Sequence, residues 1–133
     1  MARVHGKDIA SLSVDDSGGT PRSLLAETVS FTFPQSADLH DTTTMGDDWH
    51  ESTAGLKGGG TIAHEMFYDN TATTGPDVVY NGRIGVAGTF SWGDGTVTYS
   101  CETVVESYEI TGNVGDMVKA RANHRITGAI SRS

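Results

Sequence analysis

The sequence is short of everything that staples or anchors a small protein. Its single cysteine, Cys101, excludes an intrachain disulfide and fits a reducing compartment. On an alternating stretch such a residue is a small half-buried side chain rather than a nucleophile. No segment approaches the roughly 18 consecutive apolar residues of a membrane helix. Met1 to Ala10 also has neither the apolar centre nor the cleavage site of an export signal, so neither a membrane nor a secretory route is expected. Cations are scarce: 9 Lys and Arg stand against 17 Asp and Glu, a net charge of -8. That balance argues against ordinary nucleic-acid binding, which draws its affinity from Lys and Arg neutralising phosphates. Two uses of the negative charge remain open: solubility, and a surface that faces DNA without holding it.

Catalytic and metal-binding signatures are missing as well. His64-Glu65 opens like a zinc-protease helix, but Tyr68 stands where the second ligand belongs, in a strand-like context. Asp41 to Gly46 fails as a calcium loop, because Thr43 and Met45 occupy oxygen-ligand positions and Ser52 replaces the bidentate glutamate. There is no G-x-S-x-G, and Gly55 to Gly60 lacks the Gly-Lys-Ser/Thr ending of a phosphate loop. Glu102 and Glu106 lie about 13 Å apart along a strand, too far for a glycosidase pair. The expectation is a protein without catalytic residues, metal or cofactor.

What the sequence has is a long polar insertion, Ser36 to Gly60, between two alternating segments. Loops beyond about 12 to 15 residues without regular structure are uncommon in compact domains and tend to be functional. This one carries Asp38, Asp41, Asp47, Asp48 and Glu51 around Leu39, Met45, Trp49 and Leu56. A solvated linker has little use for such anchors, so the stretch reads as a projecting arm ordered by a neighbour.

The rest alternates with period two. Val4 to Val14 predicts a first strand, Asp15 to Gly19 a turn, and Leu25 to Phe33 a second strand with Thr28, Ser30 and Thr32 on its polar face. Thr61 to Tyr68 places His64 on the apolar face with Ile62 and Met66. Pro76-Asp77 opens a short helix reaching Ile84. Val86 to Trp92 and Val97 to Ile110 flank a hairpin turn at Gly93 to Thr96. The apolar phase changes near Val104, which predicts a bulge or an exchange of partner. In the last strand Val118, Ala120, Ala122, His124 and Ile126 oppose a face carrying Lys119, Arg121 and Arg125. About six or seven strands with at most one short helix predict one mainly β domain over 1–133, an antiparallel sandwich or barrel.

Several stretches together resemble a known family: the opening ARVHGKDIASLSVDDSGGTPRSL, Asp41 to Gly46 with Trp49-His50-Glu51 and Gly55-Leu56-Lys57, Tyr99 to Glu102, Ser107-Tyr108-Glu109, and Ile126 to Ala129. In this order and spacing they are similar to the tail tube, or major tail, protein of long-tailed, non-contractile bacteriophages. The resemblance implies a tail-tube fold without the extra C-terminal immunoglobulin-like domain of some members. It implies a non-enzymatic virion protein, made in the host cytoplasm and assembled into the tail as stacked hexameric rings. Strands of neighbouring subunits would join into one barrel around a lumen that DNA traverses without specific binding. The long loop would reach adjacent subunits and the next ring, and tape measure, terminator and tip proteins would be partners. On this basis Leu39, Asp41, Met45, Asp47, Asp48, Trp49 and Leu56 become stacking-loop candidates, and Lys119, Arg121 and Arg125 cationic partners for the arm's aspartates. Thr28, Ser30, Thr32, Glu102 and Glu106 become lumen candidates. The alternatives are a tail terminator or head-tail joining ring, and a small ligand- or carbohydrate-binding barrel using Tyr68, Tyr80, Trp92, Tyr99 and Tyr108.

Overall fold

Residues 3–133, described by a computed structural model, form ten strands and one α-helix; of the opening stretch read for an export signal, Met1 and Ala2 lie outside the described residues. In chain order these are β1 (Ser11–Asp15), β2 (Pro21–Ser23), β3 (Thr28–Thr32), β4 (Ser36–Asp41), β5 (Ser52–Gly58), β6 (Thr61–Phe67), α1 (Pro76–Arg83), β7 (Ala87–Gly93), β8 (Thr98–Thr111), β9 (Lys119–Ile126) and β10 (Ser131–Arg132). The main sheet runs β2-β1-β7-β8-β9-β6-β3, with β10 added beside β8. Every pairing between named strands is antiparallel.

The long strand β8 joins the two halves of this sheet. Its first part, Thr98 to Val104, pairs with β7, and its second, Thr103 to Thr111, pairs with β9. The register shifts between Val105 and Ser107, leaving Glu106 as the bulged residue. This is the phase change seen in the sequence: Cys101, Thr103 and Val105 point inward before the bulge and Tyr108 after it. The halves fold onto each other around Leu12, Val14, Phe90, Ile62, Met66, Val105 and Ala122. Rings seal the open side, where Phe31 meets Trp92 at 5.1 Å and Phe33 meets Phe90 at 6.3 Å between centroids.

Helix α1 closes one end. Pro76 occupies its first turn beside Asp77, as the N-terminal signals require. Its underside buries Val79, Tyr80 and Arg83. The Arg83 guanidinium is wholly buried and donates to the carbonyls of Val86 at 3.1 Å, Asp15 at 2.6 Å and Thr103 at 3.3 Å. A Cβ on Gly88 would stand 2.6 Å from the guanidinium carbon, so the glycine makes the space in which the charge is held.

Three expectations change. Leu25–Glu27 is a 3-10 turn rather than the start of a strand, and the register shift between Thr28 and Ser30 turns Thr28 inward and leaves Val29 exposed. The first strand is shorter than Val4 to Val14, because Gly6–Asp8 forms a 3-10 turn. The arm is not irregular: among the described residues β4 and β5 pair with each other alone, as a separate two-stranded sheet.

Candidate assembly interface

The arm is a hairpin with bare apolar side chains on its strands and at its tip. Leu39 lies across from Ala54, Leu56 sits on β5 where the register shifts opposite Asp38, and Met45 and Trp49 belong to the tip. None of the four is covered by its own chain: Leu39 is 70% exposed, Leu56 82% and Trp49 83%, and Met45 is fully exposed. The tip is held by its own polar groups. Asp41 Oδ1 accepts from the Thr43 amide at 2.9 Å, Asp47 Oδ2 from the Thr44 amide at 2.8 Å, and Thr43 Oγ1 from the Glu51 amide at 2.7 Å. Asp41 and Asp47 are therefore spent on local turns, and the Asp41 carboxyl is held below its usual range mainly by the Thr43 hydroxyl and amide. A lone two-stranded hairpin is marginal in water. Here it is internally braced yet presents bare leucine, methionine and tryptophan.

The second feature is the outer face of the four strands β8, β9, β6 and β3. Arg121 stands across from Glu65 on β6 and from Glu109 on β8, Asn123 across from Ala63 and Ser107, and Lys119 across from Phe67 and Thr111. Arg125 Nη1 lies 3.9 Å from Glu106 Oε1. Ser30 Oγ donates to Glu65 Oε2 at 3.3 Å, and Thr32 pairs with Ala63. The three cations thus share one face with Ser30, Thr32 and Glu106. Two lumen candidates lie elsewhere. Thr28 Oγ1 donates inward to the Leu24 carbonyl at 2.8 Å, and Glu102 sits on the first part of β8, accepting from Thr89 Oγ1 at 2.9 Å. Glu65 and Glu109 escaped sequence reasoning, because only the cross-strand register shows that they flank Arg121.

This four-stranded section has an open edge on either side. At one, β3 pairs among the described residues with β6 alone. At the other, β7 leaves β8 at Val104, and beyond the isolated bridge of Ile84 with Val105 no strand among the described residues accompanies that side of β8. A groove of about 600 Å³ borders β3, lined by Ile9, Leu25, Thr28, Phe31 and Trp92 among others. The indole N–H of Trp92 is buried and finds no hydrogen-bond partner among the described residues.

Beneath the wall, a buried chain ties α1 to the sheet. Tyr80 OH lies 2.6 Å from His64 Nδ1 and 2.8 Å from His124 Nε2. His64 Nε2 reaches Thr28 Oγ1 at 2.8 Å, and His124 Nδ1 reaches Thr103 Oγ1 at 3.3 Å. Since the Thr28 hydroxyl donates to Leu24, it accepts from His64 Nε2–H. Tyr80 then donates to His64 and accepts from His124, and with the Thr103 hydroxyl turned to His124 rather than to the Gly88 carbonyl, 3.4 Å away, two neutral rings satisfy every link. Burial pushes His64 down to about 4 and His124 to about 3. The sequence signal for this chain was present in the apolar phase of both histidines, but it does not reveal Tyr80 as their shared partner.

A curled sheet with a detached hairpin arm and one capping helix defines the class of the fold, which is that of tail tubes. A chain in the tail of an empty gene transfer agent particle, with C6 symmetry, matches at a TM-score of 0.74 over 99% of both chains, with 17% sequence identity. A chain of the native gene transfer agent virion matches at 0.73 over 99% of both, with 15% identity. A chain of the SPP1 tail tube matches at 0.69, over 98% of this chain and 79% of its own, with 9% identity. No protein-family profile and no curated protein sequence matches the chain. The likeness is therefore one of fold, shared almost end to end.

Proposed function

We propose that the chain is a tail tube subunit of a phage-like particle, closing into rings of six that stack into a hollow conduit for DNA. One observation carries the reading: the hairpin arm leaves Leu39, Met45, Trp49 and Leu56 bare, which a free globular subunit has no reason to do. The two open edges supply the lateral contact. The β3 edge of one subunit and the distal β8 edge of the next make a head-to-tail interface, which closes when the rotation between copies closes. The groove beside β3 and the unpaired Trp92 N–H are features that an adjoining chain would complete. Ring closure turns the face bearing Ser30, Thr32, Asn123 and Ser107 toward the channel, while the arm crosses to the next ring. The C6 symmetry of the gene transfer agent tail supports six copies. Tape measure, terminator and tip proteins would meet the tube along its bore and at its ends.

Electron microscopy of the purified protein across a concentration series tests this. Hollow tubes with a regular axial repeat are expected. Isolated rings at every concentration would instead favour a terminator or joining ring.

A further inference from the structure

The chain is acidic as a whole, yet three of its nine Lys and Arg residues lie in one row on β9. Lys119, Arg121 and Arg125 are all exposed, on the face assigned above to the channel. An unpaired row of this kind, repeated by every subunit, would hold DNA, because each cation that takes a phosphate releases bound counterions. On the same face, carboxylates of the neighbouring strands stand across the ladder from Arg121 and within 3.9 Å of Arg125. Glu65 and Glu109 flank Arg121 from both sides, and Glu106, set out of register by the bulge, reaches Arg125. Ser30 holds Glu65 from the fourth strand.

We propose that Glu65, Glu106 and Glu109 are built-in counterions that occupy the arginines of β9, so that the wall presents paired charge to a passing polyanion and neither binds it nor repels the neighbouring subunits. This rests on the reading that the face lines the channel. Within the strands of this face three carboxylates stand against three cations, and Asp116 in the turn before β9 adds one negative charge at its end. A wall of carboxylates alone would set like charges of adjacent subunits against each other around the ring, whereas cross-strand opposite charges stabilise the sheet that carries them. The bulge at Glu106 gains a purpose in this scheme, since it brings a carboxylate to Arg125, whose direct partners across the ladder are Thr61 and Val104.

The test compares wild-type tubes with the double variant Glu65→Gln/Glu109→Gln for retention of a short fluorescent duplex DNA, read by co-sedimentation at low salt. The variant should retain about tenfold more DNA or better, with a steep salt dependence, and adding Arg121→Gln should return retention to the wild-type level. Retention equal in wild type and variant, or a gain that Arg121→Gln leaves in place, overturns the proposal. Should the variant not assemble, the same comparison on free subunits by fluorescence anisotropy separates the same outcomes, because the face is open there. Failure of the channel reading is seen separately by labelling Asn123→Cys in assembled tubes. The native Cys101 does not interfere, being buried with its thiol pushed up to about 11. A small maleimide should label Cys-substituted tubes, and a polymer-coupled maleimide should not. Complete labelling by both puts the face outside the tube and rejects the channel reading. Exclusion of the polymer together with unchanged DNA retention rejects the counterions alone.

Discussion

Replacing Trp49 and Met45 together by alanine should abolish tube formation and leave the free subunit as stable as wild type, within about 0.5 kcal/mol. The two halves of this expectation have one cause. Neither side chain is covered by its own chain, so the fold loses nothing with them. In an assembled tube a buried tryptophan removes about 150 to 250 Å² from water, which at ~25 cal/mol per Å² corresponds to ~4 to 6 kcal/mol before ordering costs. Such a side chain near the centre of an interface is the commonest kind of hot spot. Every subunit of a tube would repeat the contact, so its loss would act at each step of stacking. Thermal unfolding and negative-stain yield, measured on the same preparation, check the expectation. Tubes at normal yield would show that Trp49 is no stacking anchor, and a marked fall in unfolding temperature would return it to the subunit's own core.

Acid should loosen the subunit before its carboxylates account for the loss. His64 and His124 are neutral in the fold, with pKa values near 4 and 3 against an ordinary 6.5. Because the folded values lie below the unfolded one, the unfolded chain binds more protons as the pH falls. The stability these groups contribute is complete above pH 6.5 and drains away as the pH drops from there through about 4. By pH 4 each histidine accounts for roughly 3 kcal/mol, and the sum is tempered by their contact through Tyr80. Urea unfolding at pH 7, 5.5 and 4 reads this directly. The variant His64→Gln/His124→Gln should be weaker at pH 7, where its amides cannot reproduce the Thr28–His64–Tyr80–His124–Thr103 chain, but its profile should be flatter. Parallel profiles would remove the histidines as the cause.

Much of this architecture was legible in the sequence because period two is a local property. The inward sets Ile62, His64, Met66 and Ala120, Ala122, His124 follow from alternation alone, and the phase slip near Val104 foretold the bulge at Glu106. Pro76 and Asp77 marked the helix for equally local reasons. What was hidden depends on register, which alternation does not fix between distant strands. Thr28 fits the polar face by counting, yet a bulge one residue later sends it to His64. Lys119, Arg121 and Arg125 stand out in the sequence as a cationic row, but only the register shows Glu65 and Glu109 across from Arg121, and only the bulge brings Glu106 to Arg125. The arm's anchors were visible by composition, whereas its pairing as a hairpin was masked by the register shift after Ala37 and by a polar tip built on Asp41 and Asp47.

A helical reconstruction by cryo-electron microscopy of tubes grown from the purified chain tests the central claim most directly. Six subunits per ring are expected, with the face bearing Asn123, Ser107 and Thr32 turned to a continuous channel and Trp49 buried against the adjacent ring. A tube whose channel is lined by another face, with the arm and Trp49 left in solvent, would contradict it.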